Sequence, residues 1–390
     1  MTTATGPGVV TGQLRRARHS VSAAFAAQGF LFAVILTNLP QFEQRYGIDD
    51  GIVTLIVLGV TLLAGAGSLG AEKVAARRTS AAALTAGLVL IVGATVVVAL
   101  APGLTTLCIG FAGYGLGVGA VDAGGNMQAV AVQRGYGRSI LTSFHACWSA
   151  AGIIGALWVA LGSRLALPLP TGLLVAAGVA AVLAVVARRG MLPGSAPVAV
   201  AGPRVPWRSI LLLGAAMACF YVADAGVSNW SAVYLHDLLG ASAATAALGY
   251  AAYQATGLVC RVSGDYVVRR VGPVVTVRIG AVIGVAGLAL VVAAPGPWTA
   301  IAGFALVGLG LPVVAPLCFS AAGALAPGAA DAVVARVNVF NYAGAIIGGV
   351  AVGAIGTAVD LRVGFVVPLV LAALLLVLAR GFAPTPVVTR

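Results

Sequence analysis

Long runs of apolar residues, each long enough to cross a lipid bilayer, recur from one end of the sequence to the other. One of them, residues 80–101, reads SAAALTAGLVLIVGATVVVALA without a charged side chain. A transmembrane helix needs about 20 predominantly apolar residues. Only 8% of the residues are charged, whereas soluble proteins carry about 25%, so the chain lacks the polar surface of a soluble domain. The sequence predicts an all-α polytopic membrane protein.

The apolar runs predict twelve membrane-spanning helices joined by short connections. The first run follows three arginines and superficially resembles a signal peptide. It is too long for such a segment and ends in polar residues instead of small ones, so we expect it to form the first span. The predicted spans are 20–40, 51–70, 80–101, 104–131, 139–162, 171–187, 209–235, 242–267, 274–294, 298–325, 333–358 and 362–380.

Basic residues are distributed unevenly between the two sides of the membrane. Of the 22 lysines and arginines, only Arg45, Arg164 and Arg362 fall on the side opposite the termini. Cytoplasmic loops of membrane proteins carry an excess of basic residues, so the pattern predicts that both termini are cytoplasmic. The net charge of +12 follows from this topology and does not indicate nucleic-acid binding. Lys73 is the single lysine beside 21 arginines, a composition typical of proteins from GC-rich bacteria. We therefore expect a bacterial cytoplasmic (inner) membrane.

A hydrophilic segment divides the spans into two sets of six. Residues 188–208 read RRGMLPGSAPVAVAGPRVPWR. Their prolines allow an SH3-ligand interpretation, but a cytoplasmic linker between two bundles explains the composition better. The predicted organisation is a cytoplasmic tail (1–19), an N-terminal bundle (20–188), the linker (189–208), a C-terminal bundle (209–380) and a second cytoplasmic tail (381–390).

The two sets of spans are related by an internal repeat. The strings GFAGYGLGVGAVDA (110–123) and GFALVGLGLPVVAP (303–316) share GFA and GLG at an offset of 193 residues. The same offset aligns IIG at 153–155 with IIG at 346–348, and Glu72 with Asp265. Since each copy contains six spans, both copies run in the same direction. A parallel repeat is typical of transporters that bind solute near the membrane midplane.

The motifs of the sequence do not indicate an enzyme. The glycines of GYGLGVG (113–119) lack the preceding strand of a dinucleotide-binding site and instead favour close helix packing. The five cysteines lie singly in apolar runs, a pattern that indicates neither a metal site nor a disulfide framework. We therefore expect no cofactor and no bound metal.

Three titratable residues lie well inside the predicted spans: Asp122, His145 and Asp224. Such residues are costly in the bilayer and are therefore candidate functional groups. A rise of about 1.5 Å per residue places Asp122 about 18 Å, Asn126 about 12 Å and His145 about 10 Å from the loop between spans 4 and 5. We expect these three side chains to form one polar cluster. It either couples protons through Asp122 and His145 or locks the two spans together as a structural network.

The repeat confines this chemistry to one half, because an offset of 193 aligns Asp122 with Ala315 and His145 with Asn338. Asp224 is interpreted either as a solute contact or as a packing residue near the outer interface. Other polar and aromatic side chains in the spans offer hydrogen bonds and stacking, although aromatics there more often pack or anchor. The candidate solute-binding residues are Gln28, Asn126, Trp148, Asp224, Asn229, Trp230, Tyr253 and Asn341.

Two strings, VDAGGNMQAVAVQRGYGRSILTSFHACWSAAG (121–152) and DAGVSNWSAVYLHDLLGASAATAALGYAAYQATGLVCRVSGD (224–265), carry a resemblance to a known family. With the repeated glycine helices and the basic loops, they resemble the major facilitator superfamily, especially its fucose-permease-like branch with the YbjJ-like transporters. The resemblance covers nearly the whole chain. It implies two six-helix bundles in which spans 1, 4, 7 and 10 line a central cavity. It also implies that Asp122 is the protonatable acid.

The resemblance further implies a cytoplasmic gate at the loops after spans 2 and 8. The string GDYVVRRVG (264–272) keeps the family pattern, whereas GAEKVAARRTS (70–80) departs from it. Span 1 holds no acid, which argues against a mechanism that needs a second carboxylate there. Span 5 lacks the Gly–Pro motif of drug–proton antiporters, which disfavours an exporter. The candidate gating residues are Glu72, Arg77, Arg261, Asp265, Arg269 and Arg270.

These features predict a secondary active transporter that moves a small organic solute by alternating access. No Lys or Arg lies in the middle of a predicted span, whereas two acids do, and this favours a neutral or cationic solute, sugar-like or another metabolite. We expect proton coupling through Asp122, a monomer in the lipid bilayer and no nucleic-acid partner. The alternatives are an uncoupled facilitator, a proton-antiporting exporter of drugs or metabolites, and a membrane sensor or scaffold without transport.

Overall fold

The computed structural model of the protein describes residues 10–193 and 207–383. Within these ranges the chain is helical and contains no strand. Most of the predicted linker (194–206) and the outer parts of both predicted tails (1–9 and 384–390) lie outside the described residues. The α-helices are α1 (Gly12–Thr37), α2 (Leu39–Tyr46), α3 (Asp50–Arg77), α4 (Ser80–Leu100), α5 (Leu104–Tyr136), α6 (Leu141–Arg164), α7 (Leu169–Arg188), α8 (Trp207–Val233), α9 (Ala243–Val271), α10 (Pro273–Val292), α11 (Pro297–Gly310), α12 (Val314–Leu325), α13 (Ala330–Ala358) and α14 (Leu361–Leu378).

Eleven helical segments within the described ranges are long and apolar enough to cross a membrane, with α11 and α12 together forming one of them. The remaining long helix, α9, has 29 residues and takes the position of the eighth predicted span. It is more polar than the others because Tyr250, Tyr253 and Arg261 interrupt its apolar residues. The described helices therefore confirm the predicted class, an all-α membrane protein with twelve spans in two pseudo-symmetric bundles.

Helices in the two halves match at the offset of 193 residues that the sequence repeat predicts, as the bounds of α4 and α10 illustrate. The close packing of helices repeats as well. A Cβ placed on Gly115 would lie 2.6 Å from the carbonyl oxygen of Val60, and one placed on Gly308 would lie 2.1 Å from that of Tyr253. Since no side chain fits at such distances, glycine at both positions lets α5 approach α3, and α11 approach α9.

The tenth predicted span differs from its counterpart in the first half. Helix α5 is continuous, whereas the matching segment consists of α11, a 3₁₀ turn at Leu311–Val313 and α12. Pro312 stands in this turn. Proline has no N–H to donate, and its ring clashes with the carbonyl one turn earlier. The predicted span 298–325 is therefore interrupted near its middle.

A short connection joins α5 to α6 and returns the chain alongside itself. Gly137 ends α5 in the left-handed conformation (φ 63°), and its N–H bonds the carbonyl oxygen of Gln133 at 3.1 Å, a common way to end a helix. The Gln133 side chain accepts a hydrogen bond from the Ile140 N–H at 3.1 Å. This connection joins the two helices whose side chains Asn126 and His145 lie 3.3 Å apart.

The chain forms two compact units. The first unit contains the described residues up to Ile140 and those from Phe144 through α7. The second unit contains α8 to α14 together with Leu141–Ser143, the first three residues of α6.

Candidate functional site

The first unit contains a chain of polar side chains, here called the N-terminal polar cluster: Gln28 of α1, Asp122 and Asn126 of α5, and His145 of α6. The Gln28 amide donates hydrogen bonds to the Asp122 carboxylate at 2.5 Å and to the Val118 carbonyl oxygen at 3.4 Å. Gln28 is buried, with 4% of its surface exposed, whereas Asp122 is half-buried. A carboxylate on one span is thus held by an amide on another.

Asn126 links Asp122 to His145. Its amide N–H donates to the Asp122 backbone carbonyl at 2.9 Å, and its side-chain oxygen lies 3.3 Å from Nε2 of His145. An amide oxygen can only accept a hydrogen bond, so His145 carries a hydrogen on Nε2 when this bond is made. Helical spacing predicts that Asp122, Asn126 and His145 lie together, and the structure places them so. Gln28 joins them through its bond to Asp122.

Aromatic rings surround the α6 side of this cluster. The Phe25 ring of α1 lies 5.1 Å from the His145 imidazole, centroid to centroid. One turn farther along α6, Trp148 contacts Phe32 with ring centroids 5.6 Å apart. Helices α1 and α6 approach closely at Gly29, which faces the Trp148 backbone. A Cβ added to Gly29 would lie 2.2 Å from the Trp148 carbonyl oxygen. His145 and Trp148 are both half-buried in this α1–α6 contact.

The second unit contains a cluster of different chemistry, here called the C-terminal polar cluster: Asp224 and Ser228 of α8, and Tyr250, Tyr253 and Arg261 of α9. The Tyr253 hydroxyl donates a hydrogen bond to the Asp224 carboxylate. Tyr253 is buried, with 1% of its surface exposed. Ser228, one turn beyond Asp224, forms a hydrogen bond with Tyr250, and the two tyrosine rings lie 6.4 Å apart.

Arg261 supplies positive charge to the C-terminal polar cluster. It lies about two turns beyond Tyr253 on the same face of α9 and is buried, with 9% of its surface exposed. Side chains lean toward the N-terminus of their helix, and the charge of Arg261 acts on Asp224 and on both tyrosines. Sequence reasoning assigned Arg261 to the gate and missed this association. The four-residue spacing of Tyr253, Gly257 and Arg261 is the signal that reveals it.

Asp265, a predicted gating residue, caps the beginning of α6. Its two carboxylate oxygens accept hydrogen bonds from the backbone N–H groups of Thr142 at 3.2 Å and Ser143 at 2.9 Å. All three residues belong to the second unit. The first N–H groups of a helix have no partner within it, and Ile140 at the N-cap makes no side-chain hydrogen bond to them. A buried carboxylate at this place is therefore stabilising.

The other predicted gating residues are less buried. Arg269 and Arg270 are exposed in the last turn of α9, and the Arg270 guanidinium lies 5.3 Å from the centre of the Tyr266 ring. In the first unit, Glu72 is half-buried and Arg77 is exposed near the end of α3.

Three predicted solute-binding residues lie on or against α13. The Trp230 indole N–H donates to the Gly349 carbonyl at 2.8 Å, and an added Cβ on Gly353 would lie 2.1 Å from the Trp230 ring. Asn229 is exposed and its amide lies beside Gly349. Asn341, on α13 itself, is buried. The indole contacts pack α8 against α13.

The sequence is similar to transporters of one superfamily. The family model described as Major Facilitator Superfamily matches residues 216–390. The chain is 29% identical over 359 residues to an uncharacterised MFS-type transporter of Yersinia pestis, covering 89% of this chain and 90% of that protein. It is 28% identical over 369 residues to an uncharacterised transporter of Sinorhizobium fredii, covering 93% of this chain and 97% of that protein.

The fold is similar to that of a solved transporter. FucP in its outward conformation matches with a TM-score of 0.79 at 14% identity, covering 94% of this chain and 98% of that chain. FucP is described as the fucose:proton symporter of E. coli. At this identity the likeness shows the fold alone. The family match over residues 216–390, the relatives that extend over nearly the whole chain and the fold agree in supporting a transporter of the major facilitator superfamily.

Proposed function

We propose that the protein uses protons to drive a small neutral or cationic organic solute, sugar-like or another metabolite, across the bacterial cytoplasmic membrane by alternating access. The family supports the class of secondary transporter. The N-terminal polar cluster supports the coupling, because it holds the Asp122 carboxylate inside one span against Gln28 on another. An ionisable group within a span is a candidate ion site by default.

Gln28 is a suitable partner for a carboxyl group that changes its protonation state. Its amide has N–H donors and an acceptor oxygen. The N–H donates to an ionised Asp122, and after protonation the turned amide accepts a hydrogen bond from the new O–H. The Asp122–Gln28 pair therefore keeps a hydrogen bond in both protonation states, while the turned amide gives up its long 3.4 Å bond to the Val118 carbonyl oxygen.

His145 is the second proposed proton group. It contacts Asn126, which bonds the backbone of Asp122. Histidine is the side chain whose charge ordinarily changes near neutral pH. A charged His145 would favour an ionised Asp122 nearby, whereas a neutral His145 would not.

The proposed solute contacts combine hydrogen-bonding and stacking groups. A solute with hydroxyl or amino groups suits the carboxylate and amides of the N-terminal polar cluster, whereas an anionic group would meet Asp122 unfavourably. The fold shared with a fucose:proton symporter supports testing sugars first. The residues concerned are Gln28, Asn126, Trp148, Asp224, Asn229, Trp230, Tyr253 and Asn341.

We propose Asp265 as the main latch of a cytoplasmic gate. Asp265→Asn would weaken the hold on the first turn of α6, because a neutral amide accepts more weakly than a carboxylate. Labelling of a cysteine placed at Ser139 should then increase, while Asp237→Asn, which removes an exposed acid elsewhere, should leave it unchanged. Equal labelling of the Asp265→Asn and parent proteins would count against the latch. The remaining residues of the proposed gate are Glu72, Arg77, Arg261, Arg269 and Arg270.

Proteoliposomes test the coupling. A solute is first identified by thermal stabilisation of the purified protein across a library of sugars and amines, because a ligand of the native state stabilises it. Asp122→Asn mimics the protonated acid, so it should keep solute counterflow but lose accumulation driven by a pH gradient. Asp237→Asn, which neutralises an exposed acid of the second unit, is the control and should keep proton-driven accumulation. Full accumulation by Asp122→Asn would make Asp122 structural and overturn the proposal.

The same assay separates the alternatives. Proton-driven movement out of right-side-out vesicles would identify an exporter of drugs or metabolites. A scaffold or sensor would bind solute without counterflow and would tolerate neutralisation of Asp122. An uncoupled facilitator would show counterflow in the parent protein with no response to the pH gradient.

A further inference from the structure

A basic cavity of about 310 Å³ lies where α1 begins, beside the connection between α5 and α6. No acid is among the described residues that line it. The cavity is within the size range of small-ligand sites. Its lining residues are Val10, Arg15, Arg18, His19, Tyr136 and Arg138.

Arg18 is the positioned cation of this cavity. Its guanidinium lies 5.7 Å from the centre of the Tyr136 ring, and Tyr136 is buried with 9% of its surface exposed. Such a contact orients the planar guanidinium group. Arg15 and Arg138 also line the cavity and are exposed. The cavity combines a fixed cation with two that can adjust to a ligand.

The cavity lies at the level expected for lipid headgroups. The apolar part of α1 begins at Ser20, and Arg15 precedes it by about 8 Å of helix rise. The headgroup layer on each side of the hydrocarbon core has a similar thickness. The excess of basic residues on this side of the membrane indicates the cytoplasmic leaflet, where anionic lipids attract basic segments.

We propose that this cavity binds a phosphate group, presented either by an anionic lipid headgroup or by a free phosphate. Arginine is suited to phosphate because its N–H groups bond two oxygens at once. The site shares no residue with either polar cluster and is independent of the proposed transport reaction. A phosphate held between Arg18 and Arg138 would tie the start of α1 to the α5–α6 connection. These are the helices that carry Gln28, Asp122 and His145.

Thermal unfolding and native mass spectrometry of the full-length protein in detergent test the site. The probes are dioleoyl phosphatidylglycerol, dioleoyl phosphatidylcholine and inorganic phosphate. The cavity variant is Arg15→Gln/Arg18→Gln/Arg138→Gln. The matched control, Arg188→Gln/Arg189→Gln/Arg208→Gln, removes three exposed arginines that do not line the cavity. We expect the half-saturating phosphatidylglycerol concentration to rise on the order of 100-fold in the cavity variant and to stay unchanged in the control.

The outcomes separate the two phosphate sources. Stabilisation by phosphatidylglycerol but not by inorganic phosphate identifies a lipid site, and comparable stabilisation by inorganic phosphate identifies a free phosphate. Equal binding of the two lipids by the parent protein, with no effect of phosphate, would overturn the proposal. So would equal phosphatidylglycerol binding by the parent and cavity variant. If the cavity variant fails to fold, Arg15→Lys/Arg18→Lys/Arg138→Lys keeps the charge and replaces it in the binding comparison. The mass spectra of the parent protein with the two lipids test the proposal without any variant.

Discussion

The two polar clusters hold their carboxylates with partners of different chemistry. In the N-terminal polar cluster, Asp122 is bound by the amide of Gln28, a neutral group that donates and accepts. In the C-terminal polar cluster, Asp224 is bound by the hydroxyl of Tyr253 under the influence of Arg261. The guanidinium of Arg261 has hydrogen-bond donors only, so it suits a carboxylate, whose oxygens accept hydrogen bonds. The first arrangement pairs the carboxylate with a group that can donate or accept a hydrogen bond, whereas the second surrounds Asp224 with donors.

This difference arises although the backbones of the two halves match. At the offset of 193 residues, Asp122 aligns with Ala315, while Arg261 aligns with Ser68. The glycines that let helices approach are kept in both halves, as at Gly115 and Gly308. Helix packing therefore follows the repeat, whereas the polar chemistry belongs to each half alone. The two halves therefore share a fold, while the polar groups inside their spans differ.

Removal of the cation from the C-terminal polar cluster should have the largest effect. Arg261→Gln leaves Asp224 without the positive charge that acts on it. We expect the free energy of unfolding to fall by about 3 kcal/mol, near the lower end for loss of a buried counterion, because Asp224 is half-buried. Titration of the purified protein from mild detergent into SDS measures the change.

Two variants control this experiment. Arg269→Gln removes an exposed arginine of the same helix and should change the free energy of unfolding by less than about 0.5 kcal/mol. The double variant Arg261→Gln/Asp224→Asn should recover part of the loss, since neutral Asn needs no counterion. If the double variant is as unstable as the sum of both single variants, Arg261 acts through other groups and the contrast between the clusters fails.

Loss of the hydroxyl that bonds Asp224 should have a smaller effect. Tyr253→Phe keeps the ring in its buried place and removes the hydrogen bond. Because that bond involves a charged acceptor, we expect a loss of about 1.5–3 kcal/mol in the free energy of unfolding. Tyr250→Phe removes a bond to the neutral Ser228, for which about 0.5–1.5 kcal/mol is expected. Equal losses in the same SDS titration would mean that Asp224 is not held as a charge.

Much of the fold follows from local patterns in the sequence. Apolar runs mark the spans because a bilayer accepts few polar side chains, and the repeat offset relates the two sets of helices. The break at Leu311–Val313 was missed, although Pro312 is visible in the sequence, because prolines also occur within continuous membrane helices. The short helix Leu39–Tyr46 was missed as well, since it is too short and too polar to resemble a span.

The candidate sites follow from the sequence only where their residues are close along the chain. Asn126 and His145 stand on consecutive helices joined by a tight turn, so helix rise alone brings them to similar depths. The bond from Gln28 to Asp122 joins helices 94 residues apart, and that from Tyr253 to Asp224 depends on how α8 and α9 are turned toward each other. Periodicity shows that a helix has a polar face but does not show which neighbour meets it.

The smallest expected effect, and the one that most sharpens the comparison, comes from giving the first half the residue that its counterpart carries. At the repeat offset His145 aligns with Asn338. In His145→Asn, the shorter amide does not reach the Asn126 oxygen, so one neutral hydrogen bond is lost and we expect the free energy of unfolding to fall by about 1 kcal/mol. Counterflow should persist, because Asp122 and Gln28 are unchanged. Asparagine does not titrate, however, so proton-driven accumulation should lose its dependence on pH between about pH 5 and 8, where histidine changes charge.

The measurement is solute accumulation at a constant pH difference over that range. The control is His236→Asn, which replaces an exposed histidine of the second unit and should keep the parent profile. If His145→Asn also keeps the parent profile, His145 serves only to pack α6 against α1, and Asp122 handles the proton with Gln28 alone.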